Sequence, residues 1–128
     1  MKYKEVDFLI ESYVNYFNFV VRTNIEYYKK KRLQEVEIRK TERDDDHITL
    51  ISFYLGEVNN GVDVRIHQMA STSLLVELKE KGFIEVANLD NIKKSFKINN
   101  IEEMRKFFKL LEEEKYFLKK SFRITHLK

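Results

Sequence analysis

The sequence has no cysteine, no proline and no tryptophan, and only three glycines in 128 residues. Without cysteine there is no disulfide framework, no thiolate zinc site and no cysteine nucleophile, and the composition fits a reducing compartment. No apolar run approaches the roughly 20 residues that cross a bilayer, and Asp7 and Glu11 stand too close to Met1 for a signal peptide. These absences predict a cytoplasmic protein without membrane contact. There is no glycine-rich phosphate loop, and no serine lies in a Gly-x-Ser-x-Gly setting.

What is present points to one folded domain spanning residues 1–128. Hydrophobic residues make up 43% and charged residues 35%, and 17 Phe and Tyr (10 and 7) supply the bulky core material. The net charge is only +3, so where the cations lie matters more than their sum.

From Tyr3 to about Leu33, Val6, Ile10, Tyr13, Phe17, Val20 and Tyr27 recur every three or four residues, which predicts a long first helix. Leu9, Tyr16 and Phe19 widen its stripe, so it packs on more than one side, against a sheet or a second subunit; a homodimer stays open. The aromatic and β-branched run Tyr13 to Val21 also admits a strand. Gln34 to Lys40 alternates, with Val36 and Ile38 opposite Glu35, Glu37 and Arg39, which predicts a strand.

The centre of the chain, His47 to Met69, reads as a β-hairpin. Val62, Val64 and Ile66 alternate with Asp63, Arg65 and His67, and Asn60-Gly61 suits a tight turn. A two-residue turn would set Leu55 opposite Ile66 and Tyr54 opposite His67; a three-residue Asn59-Asn60-Gly61 loop would set Val58 opposite Val62. The first is preferred. Ser71 to Gly82 then reads as a helix with Leu74, Leu75 and Leu78 on its apolar side, and Phe83 to Ala87 and Ser95 to Ile98 as short strands. A last helix starts at Asn99 or Asn100, where Asn100 and Glu103 have capping-box spacing and Ile101, Met104, Phe108 and Leu111 form the stripe. The tail Ser121 to Lys128 alternates weakly and is a candidate edge strand. The fold class expected is α+β: an antiparallel sheet of three to five strands built on the central β-hairpin, covered by an N-terminal, a middle and a C-terminal helix.

No catalytic, cofactor-binding or metal-binding residue is assigned. Asp44-Asp45-Asp46-His47 lacks the alternate spacing, glycine and closing Glu of a calcium loop and reads as a solvated turn. His47, His67 and His126 match no zinc spacing. His67 would need a cleft with Asp63 or Glu57 to serve as a base. Asp63 with Glu77-Leu78-Lys79 offers the residue types of a metal-dependent nuclease, but Glu77 and Lys79 fall on a predicted helix.

Two stretches interleave cations with aromatic rings, the combination that neutralises phosphates and stacks on bases. They are Tyr27, Tyr28, Lys29, Lys30, Lys31 and Arg32, and the segment from Lys115 through Lys119, Lys120 and Arg123. Both are candidate binding residues, and they would merge into one basic patch if the first helix and the C-terminus pack side by side. The plainer reading is that the aromatics face the core and the lysines face solvent.

Leu74 to Val86 followed by Lys93 to Ile98 resembles the recognition helix, first wing strand and returning strand of a winged helix-turn-helix protein. The resemblance covers about a fifth of the chain and implies a transcription regulator that reads DNA with that helix. A complete motif also needs a helix just before, where this sequence reads as strand. The function expected is that of a non-enzymatic binding protein, a small regulator or inhibitor of bacterial or viral accessory type. It would occupy a surface of a protein or protein-nucleic-acid partner. The alternative is direct nucleic-acid binding through the basic-aromatic clusters.

Overall fold

In a computed structural model of the chain, the described residues are 2–30, 35–41, 47–55, 61–67, 72–86 and 94–118. Among these residues six strands make one sheet: β1 (Glu26–Lys30), β2 (Glu35–Thr41), β3 (His47–Tyr54), β4 (Val62–Ile66), β5 (Ile84–Val86) and β6 (Lys94–Ile98). Their order across the sheet is β1-β2-β3-β4-β6-β5, and every neighbouring pair is antiparallel. β4 and β5 consequently run parallel with β6 inserted between them.

Three helices join the sheet: α1 (Tyr3–Tyr16), α2 (Thr72–Glu80) and α3 (Ile101–Glu113). The fold is α+β with its helices in the expected N-terminal, middle and C-terminal positions, and the sheet has one strand more than the three to five expected.

The apolar half of each alternation faces the helices. Val36, Phe53, Val64 and Phe96 line up across four strands, and Ile38, Ile51 and Ile66 form a second row. Val6, Ile10 and Val14 of α1, Phe17 of the turn that follows it, and Met104, Phe107, Phe108 and Leu111 of α3 join these rows in one core, all 2% exposed or less. Phe108 stacks on Tyr13 of α1 at 4.5 Å and on Phe53 of β3 at 5.8 Å, so one ring joins two helices to the sheet. A bulge between Ile38 and Arg39 adds Leu50 to β3, letting Leu50 and Ile51 both bury. α3 begins where the sequence places it: Asn100 Oδ1 accepts the Glu103 N–H at 2.8 Å.

Two expectations are corrected. The first helix does not run to Leu33. It passes at Phe17 into a π turn that ends at Val21, Arg22 adopts a left-handed conformation with φ 67°, and Glu26–Lys30 is a strand. Asn18 seals that exit: its amide accepts from the Ile25 N–H at 3.0 Å and from the Thr23 hydroxyl at 2.9 Å, and donates to the Ile25 carbonyl at 2.8 Å. The helical spacing of Tyr27 was a coincidence that pairing with β2 overrides.

The hairpin register is the second correction. Ile51 lies opposite Ile66 and Tyr54 opposite Asp63, not Leu55 opposite Ile66 or Tyr54 opposite His67. The slip is four residues. Being even, it leaves every side chain on its expected face. The Val58–Val62 alternative and the Ser121–Lys128 edge strand involve positions outside the described residues.

Candidate functional site

The polar half of the alternation forms the other face of the sheet, away from α1, α2 and α3. Its outer row runs Lys30, Glu35, Tyr54, Asp63, Lys97, and the next row runs Tyr28, Glu37, Ser52, Arg65, Ser95. Arg39 and Thr49 pair in the row beyond.

Cross-strand neighbours on this face hold one another. The Arg39 guanidinium lies over the Tyr28 ring, 3.6 Å from its centroid, and Arg65 lies over Tyr54 at 4.1 Å while donating to its hydroxyl at 3.2 Å. Glu37 receives Lys30 at 2.8 Å and the Thr49 hydroxyl at 3.1 Å, with Arg39 Nε 3.8 Å away. Glu35 and Glu37 are only 4% and 6% exposed, so these are carboxylates held by cations in a partly desolvated lattice. The contact with Glu37 holds the Lys30 ammonium above its ordinary range, against a smaller opposing effect of burial. Burial first, and the Glu35 carboxylate second, push the Tyr54 phenol up.

The charges of the face balance. Its described cations are Lys30, Arg39, Arg65 and Lys97; its described acids are Glu26, Glu35, Glu37 and Asp63.

The candidate binding residues separate onto two faces. Tyr28 and Lys30 belong to the polar face. Tyr27 and Lys29 point to the helix side, where one carboxylate takes both: Asp7 accepts from the Tyr27 hydroxyl and from the Lys29 ammonium, the latter at 2.6 Å. Lys29 also lies 5.2 Å from the Tyr3 ring centroid. The two described cations of the first cluster, Lys29 and Lys30, are therefore paired with Asp7 and Glu37. Lys31, Arg32, Lys119, Lys120 and Arg123 lie outside the described residues. At the described end of the C-terminal segment Phe117 lies 5.0 Å from Phe17, and Tyr16 donates to Glu112 of α3.

Ser52 Oγ and His67 Nε2 stand 3.0 Å apart at one end of the polar face, a pairing the sequence did not suggest because it depends on register. Ser52 is 1% exposed, so its hydroxyl holds the histidine ring and is not open to a substrate. Glu77 and Lys79 sit on α2, not on a strand beside Asp63. Among the described residues no three His, Asp or Glu side chains converge as a metal site, and Asp44 to Asp46 lie outside them. No helix there is long and apolar enough to cross a membrane.

The order α2, β5, β6 reproduces the helix and two-stranded wing of the winged-helix resemblance. The element before α2 is strand β4, and β6 pairs with that strand, so the wing is built into the sheet. No protein-family model, no curated protein and no solved structure matches the chain.

Proposed function

We propose that this chain is a non-enzymatic binding protein, a small regulator or inhibitor that occupies a surface of a protein or protein-nucleic-acid partner with the polar face of its sheet. The observation that carries the reading is the pair of stacked sites, Arg39 on Tyr28 and Arg65 on Tyr54, fixed on adjacent strands of a charge-balanced face. Arg and Tyr are the side chains that concentrate binding energy in protein interfaces. Held in place before binding, they lose little further entropy when a partner arrives.

Balanced charge favours a protein surface over bare nucleic acid. Capture on the immobilised full chain tests this, using extract of the source cells treated with nuclease and washed at about 0.5 M salt. The reading expects a stoichiometric protein to be retained through both treatments and lost on Arg39→Ala with Arg65→Ala. Retention of nucleic acid alone, abolished by nuclease or by salt, would favour the direct nucleic-acid reading instead.

A further inference from the structure

Among the described residues the sheet ends at β1, with no strand beyond Glu26–Lys30. Such a rim carries unpaired backbone N–H and C=O groups, and proteins usually guard it with proline, a bulge or outward-reaching lysines. β1 has no proline, and its register with β2 runs unbroken from Glu26 to Lys30. Its lysines are drawn back, Lys29 onto Asp7 and Lys30 onto Glu37.

We propose that β1 pairs with β1 of a second copy of this chain, antiparallel about a two-fold axis at Tyr28, joining two sheets into one. The strand's own sequence selects that register. An axis perpendicular to the sheet keeps like faces together, so the pairing is centred on a residue of β1.

Centred on Tyr28, Glu26 of each copy meets Lys30 of the other, giving opposite charges at both ends. Centred on Lys29, the two Lys29 ammonium groups oppose each other. Centred on Tyr27, Glu26 meets Tyr28 and no ion pair forms. Opposite charges across a strand pair are favourable and like charges are not, so the Tyr28-centred register wins. The Glu26 and Lys30 side chains are 46% and 37% exposed and Tyr28 is 43% exposed; Glu26 accepts from Thr41 at 2.6 Å with His47 3.3 Å away, and Lys30 lies 2.8 Å from Glu37, so the pairs across the axis are shared with these intrachain contacts.

This inference is distinct from the partner-docking reading, because it rests on backbone pairing at the rim, although Glu26, Tyr28 and Lys30, which set its register, lie at the β1 border of the polar face. A five-residue strand buries less than the roughly 800 Å² a side of a stable interface. The dimer is therefore weak and concentration-dependent, with dissociation in the micromolar range.

Sedimentation of the full chain, from about 1 μM to about 1 mM, tests the proposal. Its mass rises with concentration from 15.6 kDa towards twice that value. Glu26→Lys and Lys30→Glu each place like charges at both ends of the homodimer and weaken it roughly tenfold. Mixed in equal amounts, the two variants form a heterodimer in which a lysine of one copy again meets a glutamate of the other at both ends, and association returns to the wild-type level.

Amide exchange at residues 26–30 of the wild-type chain supplies a readout that needs no variant to fold, and it slows as concentration rises. A mass of 15.6 kDa throughout overturns the proposal. So does a dimer indifferent to both charge changes, and so does concentration-independent protection of 26–30, which would mean that the rim is covered within one chain.

Discussion

Asp7 and Lys29 meet at 2.6 Å across the gap between α1 and β1, and the second carboxylate oxygen of Asp7 accepts from Tyr27. One acidic side chain thus ties the first helix to the edge of the sheet and removes a cation and a phenol from the surface on which they would otherwise act. Asp7→Ala leaves the half-buried Tyr27 hydroxyl without its acceptor. It is expected to lower unfolding free energy by about 2 kcal/mol, whereas Tyr27→Phe, which removes only the donor, costs about 1 kcal/mol. Urea denaturation of both variants and of the double variant checks this, with non-additive losses expected.

Alkaline pH should unfold the protein for a reason visible in four residues. Burial, and then the hydrogen bond to Asp7, push the Tyr27 phenol up; burial pushes Tyr116 up; contacts with Asp7 and Glu37 raise Lys29 and Lys30. A group whose folded value lies above its unfolded one contributes stability that is complete below the unfolded value and is lost as pH climbs through the folded one. The ordinary values are 10.0 for Tyr and 10.5 for Lys. Stability contributed by these four groups should therefore be flat up to about pH 10 and fall above it. Absorbance at the phenolate band should show Tyr27 and Tyr116 ionising only together with unfolding.

Two glycines with positive φ should respond differently to alanine. At Gly61, φ is 103° and an added Cβ would lie 2.8 Å from Lys97 Cε and 3.0 Å from the Ile98 carbonyl oxygen. At Gly82, φ is 91° and nothing lies within 4 Å. Gly82→Ala should cost about 1 kcal/mol of backbone strain, and Gly61→Ala about 2 to 3 kcal/mol because crowding against β6 adds to the strain. Chemical denaturation of the two single variants gives the comparison.

Aromatic truncations should separate core from surface. Phe107 is fully buried, with ring contacts to Phe53, Phe83 and Phe108, so Phe107→Ala should cost about 3 to 5 kcal/mol. Phe19 is 84% exposed, and Phe19→Ser should change stability by no more than about 0.5 kcal/mol. Thermal unfolding followed by circular dichroism distinguishes the two.

Much of this architecture was legible in the residues. Val62, Val64 and Ile66 declared a half-buried strand, Val36 and Ile38 another, and Asn100 with Glu103 marked the start of α3, because each signal is local and repeats at the period of its element. What failed was non-local. Tyr27 continued a helical spacing by chance, and only pairing with Ile38 on β2 makes it strand. The Asn60-Gly61 pair named a turn without fixing the register around it. The polar face could not be foreseen from the hairpin alone, since the stacking of Arg39 on Tyr28 and of Arg65 on Tyr54 depends on which residues oppose one another across strands. Of the basic-aromatic stretch at 27–32, the sequence supplied the residue types, but the pairing of Lys29 with Asp7 and of Lys30 with Glu37 is a property of the folded chain.

On the proposed function, the polar sheet face, and not the exposed Phe8 and Phe19, carries partner binding. Titration of the captured partner with two variants tests it most directly. Arg39→Ala with Arg65→Ala should weaken binding at least tenfold, at about 1 kcal/mol or more for each interface Arg, while Phe8→Ser with Phe19→Ser leaves affinity unchanged. Undiminished binding by the arginine variant, with loss in the phenylalanine variant, would contradict the account.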